Sequence, residues 1–161
     1  MKKTLFIVGV ILLSGCASSY KPNSIFGGFD ETMLSPDTFR ISVSGNAFTS
    51  GGRVYDFALL RAAELSIQNQ CSHFVVLNQE NRVKTSRYIS PSSAHTNASA
   101  NVYGSYAYGQ ATTTYSGGTI SNIEKPVSSI TVQCFKENPQ NVKAFDAVWL
   151  EQSLKAKYKV K

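Results

Sequence analysis

Residues 37–43 (DTFRISV) alternate Phe39, Ile41 and Val43 with Thr38, Arg40 and Ser42, a period of two that predicts a strand with one buried face. Gly45-Asn46 signals a turn, and Thr49 or Ser50 can cap a helix that Gly51-Gly52 lead into. Over residues 53–70 the polar positions Arg53, Asp56, Arg61, Glu64 and Gln68 fall within an arc of roughly 140°, at about 100° per residue. The rest of that wheel is largely apolar, so the pattern predicts the central helix, packed through side chains such as Val54, Phe57, Leu60 and Leu65. On its polar face Arg53 with Asp56, and Arg61 with Glu64, stand at the i,i+3 spacing of helix-surface ion pairs. Residues 73–77 (HFVVL) are too few for a helix and rich in β-branched side chains, hence a second strand. Residues 128–135 alternate Ile130, Val132 and Cys134 and predict a further one. Asn138-Pro139 offers a cap and a first-turn proline for a last helix, with Val142, Phe145, Val148 and Trp149 at helical spacing. The tail, residues 155–161 (KAKYKVK), reads as a frayed, solvated end, with a contact to membrane or sugar phosphate as the lesser alternative.

Between these strands, residues 85–124 are rich in Ser, Thr, Ala, Tyr and Gly, and only Arg87 and Glu124 are charged. A structureless loop of this length inside a compact domain is improbable unless functional or disordered. Residues 98–103 and 110–115 alternate weakly, with Gly104 and Gly109 between them, which fits a protruding β-hairpin; the scarcity of large aliphatics fits disorder equally well. Five tyrosines, Tyr88, Tyr103, Tyr106, Tyr108 and Tyr115, are its distinctive chemistry. Tyrosine joins a rigid amphipathic area to a hydroxyl, as in Tyr/Ser/Gly-rich binding loops, so these residues are candidate partner contacts; a low-complexity linker is the plainer reading.

The amino terminus carries an address. Lys2-Lys3 precede nine apolar residues, 5–13 (LFIVGVILL), about 13 Å of helix against a hydrocarbon core of roughly 30 Å. That is a signal-peptide core and not a membrane span. Leu13-Ser14-Gly15-Cys16 resembles the lipobox of bacterial lipoproteins, which implies removal of residues 1–15, and diacylglyceryl and acyl chains on Cys16. Several acyl chains anchor stably where one does not. Ala17 after the cysteine resembles the pattern sent to the outer membrane, and polar residues 16–26, with Pro22, read as a lipidated tether.

The chain of 161 residues suffices for one ordinary domain. Without Lys2 and Lys3, 14 basic residues face 10 acidic ones, a net +4, too weak to imply nucleic acid. Cys71 and Cys134 remain beside Cys16, and in an exported chain two cysteines invite a disulfide clamping the roots of the Tyr-rich segment; two buried free thiols are the alternative. No catalytic constellation stands out. His73 and His95 lack metal-ligand companions, no G-x-S-x-G elbow is present, and the Gly pairs at 27–28, 51–52 and 117–118 lack nucleotide-binding spacing and read as turns. No cofactor or metal is expected beyond the lipid on Cys16.

Taken together, Gly27-Gly28-Phe29, Glu31-Thr32, Leu34-Ser35-Pro36-Asp37, Phe39-Arg40-Ile41, Gly45-Asn46 and the run DFALLRAAE at 56–64 resemble a family of small proteobacterial envelope lipoproteins. The likeness covers roughly residues 13–80 and implies a lipid-anchored α+β domain with no assigned activity. The expectation is thus an α+β domain over 27–161, a small antiparallel sheet packed on one central helix, with a C-terminal helix and the insertion 85–124. It is expected at the periplasmic face of the outer membrane as a non-enzymatic interaction module meeting an envelope protein or glycan. Redox or stress sensing through Cys71 and Cys134 is the alternative.

Overall fold

The computed structural model describes residues 18–161, so the expected signal peptide and lipidated Cys16 lie outside the described residues. The elements run β1 (Gly28–Ser35), β2 (Thr38–Ser44), α1 (Gly51–Gln68), β3 (His73–Ile89), β4 (Ser93–Tyr103), β5 (Tyr106–Ser116), β6 (Ile120–Phe135), β7 (Phe145–Asp146) and α2 (Ala147–Tyr158). The class is α+β, mostly antiparallel sheet with two helices, one of them C-terminal. The chain divides into two compact units, Lys84–Glu124 and the remainder.

In the larger unit, the sheet order is β1-β2-β6-β3-β7. β2 pairs antiparallel with both β1 and β6, so Phe39, Ile41 and Val43 stand level with Val132, Ile130 and Ser128. Period-two alternation turns those apolar side chains to one face. There they join Val54, Phe57, Ala58 and Leu60 of α1, and Ala147, Leu150 and Leu154 of α2, in a single core. Ser50 caps α1 by accepting from the Arg53 amide, and Gly51-Gly52 form its first turn. The 18 residues of α1 therefore begin two positions earlier than the apolar wheel indicates.

The C-terminal region departs from expectation. Asn138-Pro139 lies outside the helix, which starts at Ala147 because the Asp146 carboxylate accepts from the Trp149 amide. Phe145 instead pairs with Phe74 across β7 and β3, their rings stacked at 5.3 Å. Val142, Val148 and Trp149 are exposed, and Ala147, Leu150 and Leu154 do the packing. The lysine-rich end is not frayed through its first turn. Helix α2 runs to Tyr158, with Lys155 bonded to Glu151 at 2.8 Å and to Glu64 at 3.3 Å, and Lys157 to Asp56 at 2.7 Å.

Residues 18–26, expected as a tether, are docked in their described part. Ser18 is 5% exposed, its amide donating to Thr49 Oγ1 at 3.0 Å and its hydroxyl to the Phe26 carbonyl at 2.9 Å. Tyr20 packs at 4.8 Å from Phe29 and edge-on at 5.3 Å from Phe57. The chain folds this tightly because Gly27 and Gly28 take φ +95 and +139, where a Cβ would sit 2.4 Å from the Ser44 and 2.5 Å from the Lys21 carbonyl oxygen.

Candidate functional site

The Lys84–Glu124 unit is built around β4 and β5, an antiparallel pair in unbroken register from Ser93↔Ser116 to Tyr103↔Tyr106. Gly104, at φ +60, takes the first of two turn positions, where a tight hairpin needs glycine. Gly109 is therefore no turn; it lies in β5 opposite Ala100. Every residue of both strands is exposed. By register, Tyr103, Tyr106 and Tyr108 share one face with Asn101, Ser99 and Gln110. Tyr115 stands on the other face beside Ala94, while Tyr88 belongs to β3. The structure thus gathers three of the five tyrosines, and those in the hairpin expose 77–83% of their surface.

The larger unit holds the cysteines. The Cys71 and Cys134 sulfurs lie 2.08 Å apart and their Cα atoms 5.7 Å apart, the separations of a bonded pair. Cys71 follows the end of α1, where its amide donates to the Ser66 carbonyl, and the Cys134 amide donates to Asp37. Both side chains are buried.

A charged network ties the amino-terminal segment to both helices. Arg61 bonds Glu31 through Nε and Nη2, and Glu64 at 2.8 Å through Nη1. Glu64 also accepts from the Tyr20 hydroxyl and pairs with Lys155. Burial first, then the Glu64 carboxylate, pushes the Tyr20 phenol far above its ordinary range, and the bond to Glu31 raises Arg61. The expected Arg53–Asp56 pair is replaced. Asp56 accepts from Lys157 and from the Tyr158 hydroxyl at 2.7 Å each, while Arg53 lies over the Phe57 and Tyr158 rings at 5.2 and 5.0 Å. The network fastens the amino-terminal segment to both helices, and an open depression of about 410 Å³ beside it is lined by Pro22, Phe29, Asp30, Glu31 and Arg61.

The pKa of the Asp37 carboxylate is strongly lowered. The Ser35 hydroxyl, the Gln133 amide and the Thr38 hydroxyl all donate to it and hold its pKa at about 2 against an ordinary 3.8. A lowered folded-state pKa stabilises above the unfolded value, and that gain disappears as pH falls through about 2. Asp37→Asn is therefore expected to flatten the loss of stability between pH 4 and pH 2, read from urea midpoints across that range; an unchanged slope would remove Asp37 as its source.

The remaining chemistry is sparse. His73 opens β3, its Nδ1 2.8 Å from the Ser72 hydroxyl, and His95 stands exposed on β4. Among the described residues no group of three or more His, Cys, Asp or Glu is placed to hold a metal ion, and no helix is long and apolar enough to cross a membrane. A groove of about 330 Å³ beside the start of α1 is lined by Gly51, Tyr55, Asn81, Arg82 and Val127, without an acid–base or nucleophile pair. What sequence reasoning missed is a set of exposed large apolar residues, Ile25 and Phe26 in the docked amino-terminal segment and Phe48 in the loop before α1, next to the Thr49 that Ser18 bonds. Their only signal is an aromatic or branched residue within polar stretches. No protein-family model, curated protein or solved structure matches this chain.

Proposed function

We propose that the protein is an outer-membrane lipoprotein, anchored through acylated Cys16 and facing the periplasm, that acts as a non-enzymatic interaction or structural module of the cell envelope. The observation supporting this reading is the hairpin of β4 and β5. It carries no charged residue and no proline across 93–116, has no break in register, and forms a sheet of only two strands. Natural edge strands are normally blunted by lysine, proline or a bulge, because a bare edge accepts a further strand. Here those devices are missing over 11 residues on each side. An extended segment of an envelope protein can add to such an edge through its main chain, and the face of Tyr103, Tyr106 and Tyr108 supplies amphipathic area to a protein or glycan. In this reading α1 is the organising helix and the Cys71–Cys134 bond fastens the scaffold. Redox sensing asks for an accessible bond, and both cysteines are buried. The lipobox and the likeness to small envelope lipoproteins agree with the proposed location.

In-cell cross-linking and pull-down of the full chain against a deletion of 86–124 tests the reading. Partners captured only by the full chain are the expected result. Identical partners for both forms would move the interaction off the hairpin, and no specific partner for either would end the interaction reading.

A further inference from the structure

The distance from lipid to folded protein is short. If Cys16 is acylated, only Ala17 separates it from Ser18, which is buried and bonded on both its amide and its hydroxyl. Two residues span at most roughly 7 Å, no more than the thickness of the headgroup layer on one side of a bilayer, about 5–8 Å. An acylated Cys16 would therefore hold the surface surrounding Ser18 against the membrane.

That surface is apolar where solvent would favour polarity. The Ser18 hydroxyl bonds the carbonyl of Phe26, whose side chain is 63% exposed, next to Ile25 at 87%. Its amide bonds Thr49, the neighbour of Phe48, which is 73% exposed. Lys21 Nζ lies 5.6 Å over the Phe26 ring, a cation at the rim of the aromatic. Exposed apolar clusters on a soluble surface mark an interaction site. Large apolar side chains with a basic rim suit the interfacial layer, where rings enter the acyl boundary and ammonium meets phosphate.

We propose that Ile25, Phe26 and Phe48, rimmed by Lys21, form a membrane-docking face that enters the lipid interface beside the acylated Cys16. The proposal rests on the lipid-anchor reading above and gives it an orientation: the domain lies flush on the bilayer through this face and does not swing on a tether.

The test uses the full lipidated chain in vesicles of phosphatidylethanolamine with a minor fraction of phosphatidylglycerol, their acyl chains brominated. Single tryptophans at Phe26→Trp, Phe48→Trp and Leu34→Trp are compared in a Trp149→Phe background. Leu34 is the control because it sits near the far end of β1, six residues or about 20 Å beyond Gly28. Insertion of about 5–10 Å predicts quenching at positions 26 and 48 at least roughly twofold above that at 34. Equal quenching at all three, or none in vesicle-bound chain, would overturn the docking face. Metabolic labelling with a palmitate analogue separates the two readings. A chain that takes up no label ends the anchor and the docking face together, whereas a labelled chain with silent tryptophans at 26 and 48 ends the docking face alone.

Discussion

Replacing both bonded cysteines, Cys71→Ala with Cys134→Ala, is expected to lower stability by about 4 kcal/mol in the chain-entropy account of a loop of this length. The closed loop has a sequence separation of 63 and contains the whole Lys84–Glu124 unit. That unit contributes nothing to the common core, since the residues of β4 and β5 are all exposed. Without the bond, the unfolded chain gains the freedom of a long, largely polar loop, while the native state loses only two buried sulfurs. The bond also joins the end of α1 to β6, beside the place where the Ser72 amide donates to the Phe135 carbonyl at 2.9 Å. Thermal melts of the double variant should show the midpoint lowered by roughly 10 °C. Reductant should reproduce the shift in the parent protein and have no effect on the variant. A shift below about 1 kcal/mol would mean that the reduced, unfolded chain holds the same residues together by itself.

Which parts of this fold the sequence discloses depends on whether burial writes a period into it. Helix α1 and the inner halves of β2 and β6 are legible because Phe39, Ile41, Val43, Ile130, Val132 and one face of the helix are buried at regular spacing. Strand β1 is invisible to that method. It is paired with β2 along its length, yet nearly all its side chains are exposed or half-buried, so backbone pairing alone makes it a strand. The same holds for β3 beyond Leu77, where polar side chains extend the strand to Ile89 without a buried face. At the C-terminus a cap signal at Asn138-Pro139 competes with Asp146, and tertiary contact decides: pairing of Phe145 with Phe74 fixes where the strand ends and the helix begins. In the Tyr-rich segment the residues of interest are conspicuous by type, but the register that gathers Tyr103, Tyr106 and Tyr108 and sets Tyr115 apart depends on where the turn falls. Ile25, Phe26 and Phe48 were unreadable for another reason. Their position follows from long-range bonds of Ser18 that no local pattern encodes.

Phe57→Ala is expected to cost about 3–5 kcal/mol, the range for emptying a buried aromatic site, and its consequences should reach the amino-terminal segment. Phe57 is 2% exposed and sits between two rings, Tyr20 at 5.3 Å and Tyr158 at 5.0 Å, both edge-on. One ring belongs to the docked segment 18–26 and the other to the last turn of α2, so this side chain joins both to α1. Edge-to-face pairs contribute about 0.5–1.5 kcal/mol beyond the area they bury, and here one residue makes two. The Arg53 guanidinium over Phe57 would lose its ring as well. Urea denaturation gives the total cost, and a double-mutant cycle with Tyr20→Ala isolates the contact that docks residues 18–26. A coupling of about 0.5–1.5 kcal/mol is the expected outcome, together with faster proteolysis before Gly28 in both single variants. If the two substitutions added with no coupling, Tyr20 would be held by Glu64 and not by the ring, and the docking of residues 18–26 would rest on the charged network alone.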